Sequence, residues 1–224
     1  MHIQRRAFMA AGLAALAPMP AFAATPRIFH LYRGKSKIGE QSLLVTRAGG
    51  QINVAVDIDI SVRIMGLPAY RYDLSSRETW GDGMLLRLDA SGNDNGKAER
   101  VTAIAQGDGV SVDGSAFQGQ VPGRPATTTY WSQAFLSRPV WISTQNGLPF
   151  NVTAAKAGSY QVPGPGGDTL SATRWRIRGD IGRLDLFYDQ GGEWVGNEFE
   201  ARGEQARFVL ADYGRSLAGL WTGG

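Results

Sequence analysis

The chain has 224 residues, a formal net charge of +3 and no cysteine. The lack of cysteine excludes disulfides, thiol nucleophiles and thiolate metal sites. So small a charge, carried by scattered basic residues, lacks the electrostatic footprint of a nucleic-acid binder.

Residues 1–23 have the layout of a removable signal peptide. A basic start with Arg5-Arg6 gives way to the alanine-rich stretch Ala10–Ala17, and Ala21-Phe22-Ala23 has the small-x-small form of a cleavage site. The apolar run is too short to span a bilayer. Arg5-Arg6-x-Phe8-Met9 also has the form of a twin-arginine export address. Cleavage removes Arg5 and Arg6 and no acidic residue, which leaves the exported chain close to neutral. The expectation is a periplasmic protein with a single β domain over 24–224 and no transmembrane segment in the mature chain.

Ile28–Arg33 and Ile38–Arg47 flank the turn-like Gly34-Lys35-Ser36-Lys37, and Ala48-Gly49-Gly50 turns into the clearest signal in the chain. There Ile52, Val54, Val56, Ile58, Ile60, Val62 and Ile64 alternate with Asn53, Ala55, Asp57, Asp59, Ser61 and Arg63. Strict period two describes a long strand with one buried face. A one-residue slip would bury both aspartates, so the register is firmly set. Ala69–Trp80, Met84–Ser91 and Ala98–Gln106 continue the pattern, separated by Gly- and Asn-rich turns that supply positive φ. After the loop Gly119–Pro125, Thr127-Thr128-Thr129 is expected to cap a short helix over Tyr130–Ser137, with Tyr130, Trp131, Ala134 and Phe135 on one face. Strands are then expected at Val140–Thr144, Thr169–Gly179, Ile181–Asp189, Glu193–Glu200 and Gln205–Asp212, with a loop at Pro163–Gly167 and a helical turn near Leu217–Trp221. Short strands at regular spacing, without the helices of a βαβ protein, predict an all-β, mainly antiparallel fold. Its form is a single curved meander sheet, half-barrel or barrel-like, with one short helix.

Catalytic and metal signatures are sparse. His30 is the only histidine outside the leader, so a multi-histidine zinc site is excluded there. No Gly-x-Ser-x-Gly elbow or phosphate-binding glycine motif occurs. Asp57 and Asp59 share a strand face about 7 Å apart, and a solvated face is the simpler reading of them. Asn93-Asp94-Asn95-Gly96 resembles part of a calcium loop, but Thr102 stands where its bidentate Glu belongs, so a hairpin turn explains the segment. No catalytic residue, metal ligand or cofactor is assigned. The strand Ala69–Trp80 carries the best candidates. If Tyr70, Tyr72, Leu74, Ser76, Glu78 and Trp80 face inward, Glu78 sits among aromatics and needs a partner. Tyr70, Tyr72, Glu78, Trp80, Tyr130 and Trp131 form the candidate ligand-binding set.

Several segments together carry a resemblance: Ile38-Gly39-Glu40, Tyr70-Arg71-Tyr72 through Glu78-Thr79-Trp80, Asp94-Asn95-Gly96-Lys97, Thr129-Tyr130-Trp131, and Leu184–Phe199 with Phe187-Tyr188-Asp189 and Glu193-Trp194-Val195. They resemble a family of exported proteobacterial proteins designated a domain of unknown function. Phe187 stands where that pattern leads one to expect Trp. The resemblance implies a periplasmic antiparallel β fold akin to lipoprotein-carrier half-barrels, and it brings no catalytic residues. Three functions follow as expectations. The first is a non-catalytic module holding an apolar or lipid-like ligand. The second is an envelope structural or assembly protein docking a protein partner. The third is a hydrolase using carboxylates, such as Glu78 with Asp73 or Asp57 with Asp59.

Overall fold

The computed structural model describes residues 25–201 and 203–214. The leader, with its twin-arginine pattern, and the turn expected near Leu217–Trp221 lie outside the described residues.

The N-terminal half is a run of hairpins. β1 (Arg27–Arg33), β2 (Ser36–Ala48), β3 (Gln51–Ile64) and β4 (Leu67–Gly81) are followed by β5 (Met84–Asp94), β6 (Lys97–Gln106), β7 (Gly109–Gly114) and β8 (Gln118–Pro122). Each pairs antiparallel with its chain neighbour. Two short strands, β9 (Ala126–Thr127) and β10 (Val140–Ile142), form the parallel pair. β11 (Pro149–Pro163), β12 (Thr169–Gly179), β13 (Leu184–Tyr188), β14 (Trp194–Ala201) and β15 (Glu204–Asp212) complete the meander. β15 then pairs with β1, so all strands lie in one sheet ordered β8-β7-β6-β5-β4-β3-β2-β1-β15-β14-β13-β12-β11-β10-β9.

The two ends of that order, β8 and β9, are separated in the chain only by Gly123-Arg124-Pro125. A linker that short holds the edges within about 14 Å, so the sheet curls almost into a barrel. Arg138 ties the gap: its guanidinium donates to the carbonyls of Arg124 (3.3 Å), Pro125 (3.1 Å) and Gly83 (2.5 Å). Beside the gap, the loop after β10 packs on β7. An added Cβ on Gly114 would lie 2.3 Å from the Asn146 carbonyl oxygen, so glycine is required there.

The interior divides along the strands. At one end it is filled: Trp80, Phe135, Trp141, Leu88 and Val54 are buried, and the Trp80 and Phe135 rings lie 4.9 Å apart. The segment between β9 and β10 plugs this end, and here the expected helix differs. The turn is a short 3-10 helix over Gln133–Ser137, capped by the Ser132 hydroxyl accepting from the Ala134 N–H at 3.3 Å. Thr127 is instead in β9, paired with Ile142. Strand existence elsewhere follows the alternation, with Thr169–Gly179 as expected and β13 trimmed to Leu184–Tyr188. β7, β8 and β11 lie outside the expected strands, and Pro165–Gly167 forms a second 3-10 turn within an expected loop.

Candidate functional site

Toward the other end of the curl the filling stops. A cavity of about 400 Å³ opens there, walled by β1–β4, the β9–β10 region, the turn between β12 and β13, and β13–β15. On β3 the inward set changes environment in mid-strand. Ile52, Val54 and Val56 are buried, whereas Ile58, Ile60 and Val62 are half-buried and line the cavity. On β4, Ser76, Glu78 and Trp80 are buried, while Tyr70 and Tyr72 form the wall beside Val62 and Ile60, their cross-strand partners. Phe199 and Phe208 supply the facing wall, their rings stacked 6.0 Å apart. Exposed Arg183 and Glu200 lie at the mouth. Burial pushes the phenol of Tyr72 well above its ordinary pKa, helped by Tyr70 and Asp94, so it stays neutral as a hydrogen-bonding rim on an apolar wall.

Two amides interrupt the apolar lining. Gln41 is the polar member of the inward set on β2, opposite Ile58, and Asn197 holds the corresponding place on β14, between Leu186 and Phe208. Both are buried, with Asn197 only 2% exposed. The Oδ1 of Asn197 has no hydrogen-bond partner among the described residues. Sequence reasoning missed both residues. Their only signal is a single polar residue on the inward register of an otherwise apolar strand face.

The candidate residues therefore separate into two groups. Tyr70, Tyr72 and Tyr130 line the cavity. Glu78, Trp80 and Trp131 lie in the filled end and are not among its lining. Glu78 accepts from the Trp80 indole N–H at 2.7 Å and from the Thr129 hydroxyl at 3.1 Å, and Thr129 in turn meets the Thr127 hydroxyl at 2.8 Å. Burial pushes the Glu78 carboxyl up to about 7, opposed by these donors and by the Trp131 indole. The segment after β9 divides its side chains: Thr127, Thr129 and Trp131 face Glu78, while Thr128 and Tyr130 face the cavity. Tyr130 has φ +56°, and its carbonyl accepts from the buried Tyr188 hydroxyl at 2.8 Å. That bond holds a backbone conformation an L-residue adopts only at a cost.

The other candidate carboxylates, Asp57, Asp59 and Asp73, lie on the outward face of β3 and β4. Asp57 is paired with both terminal nitrogens of Arg77 at 3.1 and 3.2 Å, and Asp59 lies 3.8 Å from Arg71. Asp73 sits on the face opposite Tyr72 and Leu74. His30 lies 3.4 Å from Glu40, both partly exposed. Asn93 accepts from the Gly96 N–H at 2.6 Å, closing the β5–β6 hairpin. Among the described residues no group of three or more His, Asp or Glu is placed to hold a metal. None of their helices is long and apolar enough to cross a membrane.

The architecture is similar to a solved structure. The chain matches the β-barrel-like protein of the domain-of-unknown-function family DUF1849 from Brucella abortus with a TM-score of 0.59 at 10% identity. The match covers 84% of this chain and 97% of that one. At that identity the likeness is one of fold. No curated protein matches the chain in sequence. The hairpin order, the Tyr70–Trp80 strand and the Phe187–Val195 corner all fall within residues 29–211, the span matched by the model of the domain of unknown function DUF6134, and the chain belongs to that family.

Proposed function

We propose that this chain is an exported, periplasmic binding protein that holds an apolar, lipid-like ligand in the open end of its curled sheet. The observation that carries the reading is the mid-strand change on β3. Ile58, Ile60 and Val62 keep the inward register of a core strand, yet they face a cavity of about 400 Å³. Covering apolar surface recovers about 25 cal/mol per Å², so an aliphatic ligand gains affinity from the same alternation that builds the core below it. The volume is in the range of small-molecule sites, and a few polar groups among aliphatic and aromatic walls are the usual composition of one. Exposed Met65 and Leu67, at the tip of the β3–β4 hairpin, continue the apolar strip past the mouth. The leader sequence supports the location, through its Arg5-Arg6 start and Ala21-Phe22-Ala23 cleavage site.

The test is native mass spectrometry of the exported protein recovered from its own envelope, followed by solvent extraction. The expected result is a bound species that leaves on extraction and is reduced by Ile60→Glu, which puts a charge on the cavity wall. Wild-type protein without any apolar adduct, and unable to take up an added alkyl amphiphile, would contradict the proposal.

A further inference from the structure

Resting on that reading, we infer that the cavity selects an uncharged amphiphile, bound with a hydroxyl or amide head against Asn197 and Gln41 and its aliphatic tail running outward past Ile58, Ile60 and Val62. The burial gradient gives the direction. Along β14, Asn197 is buried whereas Phe199 and Ala201 are half-buried, and along β3 burial falls from Val56 to Val62. Both amides therefore sit at the inner end, and Arg33, Arg183 and Glu200 sit toward the mouth.

The chemistry of the inner end gives the head group. Asn197 Oδ1 is a buried acceptor without a partner among the described residues. A buried acceptor left unmade is unfavourable, and a ligand O–H or N–H relieves it. Next to Asn197 in the ladder stand Leu186 and Phe208, and next to Gln41 stand Phe29 and Ile58. No cation is among these neighbours, so an ionised carboxylate or phosphate driven to this depth would be desolvated without compensation. A neutral head that donates to Asn197 and exchanges hydrogen bonds with the Gln41 amide meets both conditions. The aliphatic wall sets no comparable demand on the tail beyond thickness, so selectivity rests on the head.

The experiment compares octanol, octanamide and octanoate as competitors of an environment-sensitive apolar dye on the exported protein, at about pH 8, where octanoate is ionised. Octanol and octanamide are expected to compete roughly tenfold or more better than octanoate, the worth of about one hydrogen bond plus the avoided desolvation. Asn197→Leu, which keeps the branched skeleton without the amide, should narrow that gap. Gln41→Leu serves as a second variant if the first fails to fold. Equal competition by the three amphiphiles, or octanoate competing best, would overturn the head-group inference while dye binding leaves the cavity reading standing. Wild-type protein that takes up no dye would overturn the cavity reading itself.

Discussion

Glu78→Gln isolates the energetic consequence of placing a carboxyl in the filled end of the curl. The wild-type group is buried, with its pKa raised from 4.5 to about 7. Such a difference corresponds to about 3 kcal/mol between the two protonation states. Because the folded pKa lies above the unfolded one, the native state holds more protons between those values, and stability falls as pH rises through that window. Below about pH 4.5 the group is neutral in both states and the penalty vanishes. Glutamine keeps the shape: its amide oxygen can accept from the Trp80 indole, its NH2 then donates to the Thr129 hydroxyl, and it cannot ionise. Urea denaturation at several pH values between about 4.5 and 8 gives the stability of each protein, and the difference between them cancels all other titrating groups. That difference should move by about 3 kcal/mol in favour of the variant as pH rises. Parallel stability curves would show that Glu78 is not held neutral by its surroundings, and the account of the buried cluster would fail.

Other predictions follow from the same geometry. Thr129→Val removes a donor that favours the charged form of Glu78, so it should destabilise by about 1–2 kcal/mol more at pH 8 than at pH 5, read in the same denaturation series. Arg27 forms a buried ion pair with Glu193 and donates to the Trp194 carbonyl at 3.0 Å. Arg27→Met should therefore cost about 3–5 kcal/mol, and combining it with Glu193→Leu should recover most of the loss in thermal unfolding. A Cβ on Gly39 would lie 2.4 Å from the Asp59 carbonyl oxygen, so Gly39→Ala should force β2 from β3 and lower stability by about 2 kcal/mol or more, with faster amide exchange along that ladder. An Arg5→Lys, Arg6→Lys leader fused to a folded reporter should lose export if the twin-arginine address is used; undiminished export would assign the general secretory route.

The strand pattern was legible wherever one face is uniformly apolar. Ile52 to Val62 announced β3 and its register, because side-chain alternation reports directly which face points inward. It reports nothing of what fills the interior, which is why the passage from core to cavity at Ile58 had no counterpart in the pattern. β11 has no signal of its own because Ala154-Ala155-Lys156-Ala157-Gly158 does not alternate; pairing with Thr169–Gly179 of β12 sets its conformation. The helix expected at Tyr130–Ser137 drew on Thr127–Thr129 as caps, but those hydroxyls are engaged by Glu78 and Thr144, so tertiary contacts overrode a local capping signal. The inward phase of Tyr70–Trp80 placed the candidate tyrosines and Glu78 on one face, and the strand length then carried them into different environments. Asn197 and Gln41 stayed hidden because one polar residue in an apolar series has no meaning until its neighbours across the sheet are known.

On the proposed function, the open end of the curl takes up an apolar molecule. Titrating an environment-sensitive apolar dye into the exported protein and into Ala206→Trp tests it most directly, because Ala206 is a small buried residue of the cavity wall and the indole would occupy the space. Saturable binding to the wild type at one site, weakened at least tenfold in the variant with its circular dichroism unchanged, is the predicted result. Absence of saturable binding to the wild type, or equal binding to both proteins, would contradict the account.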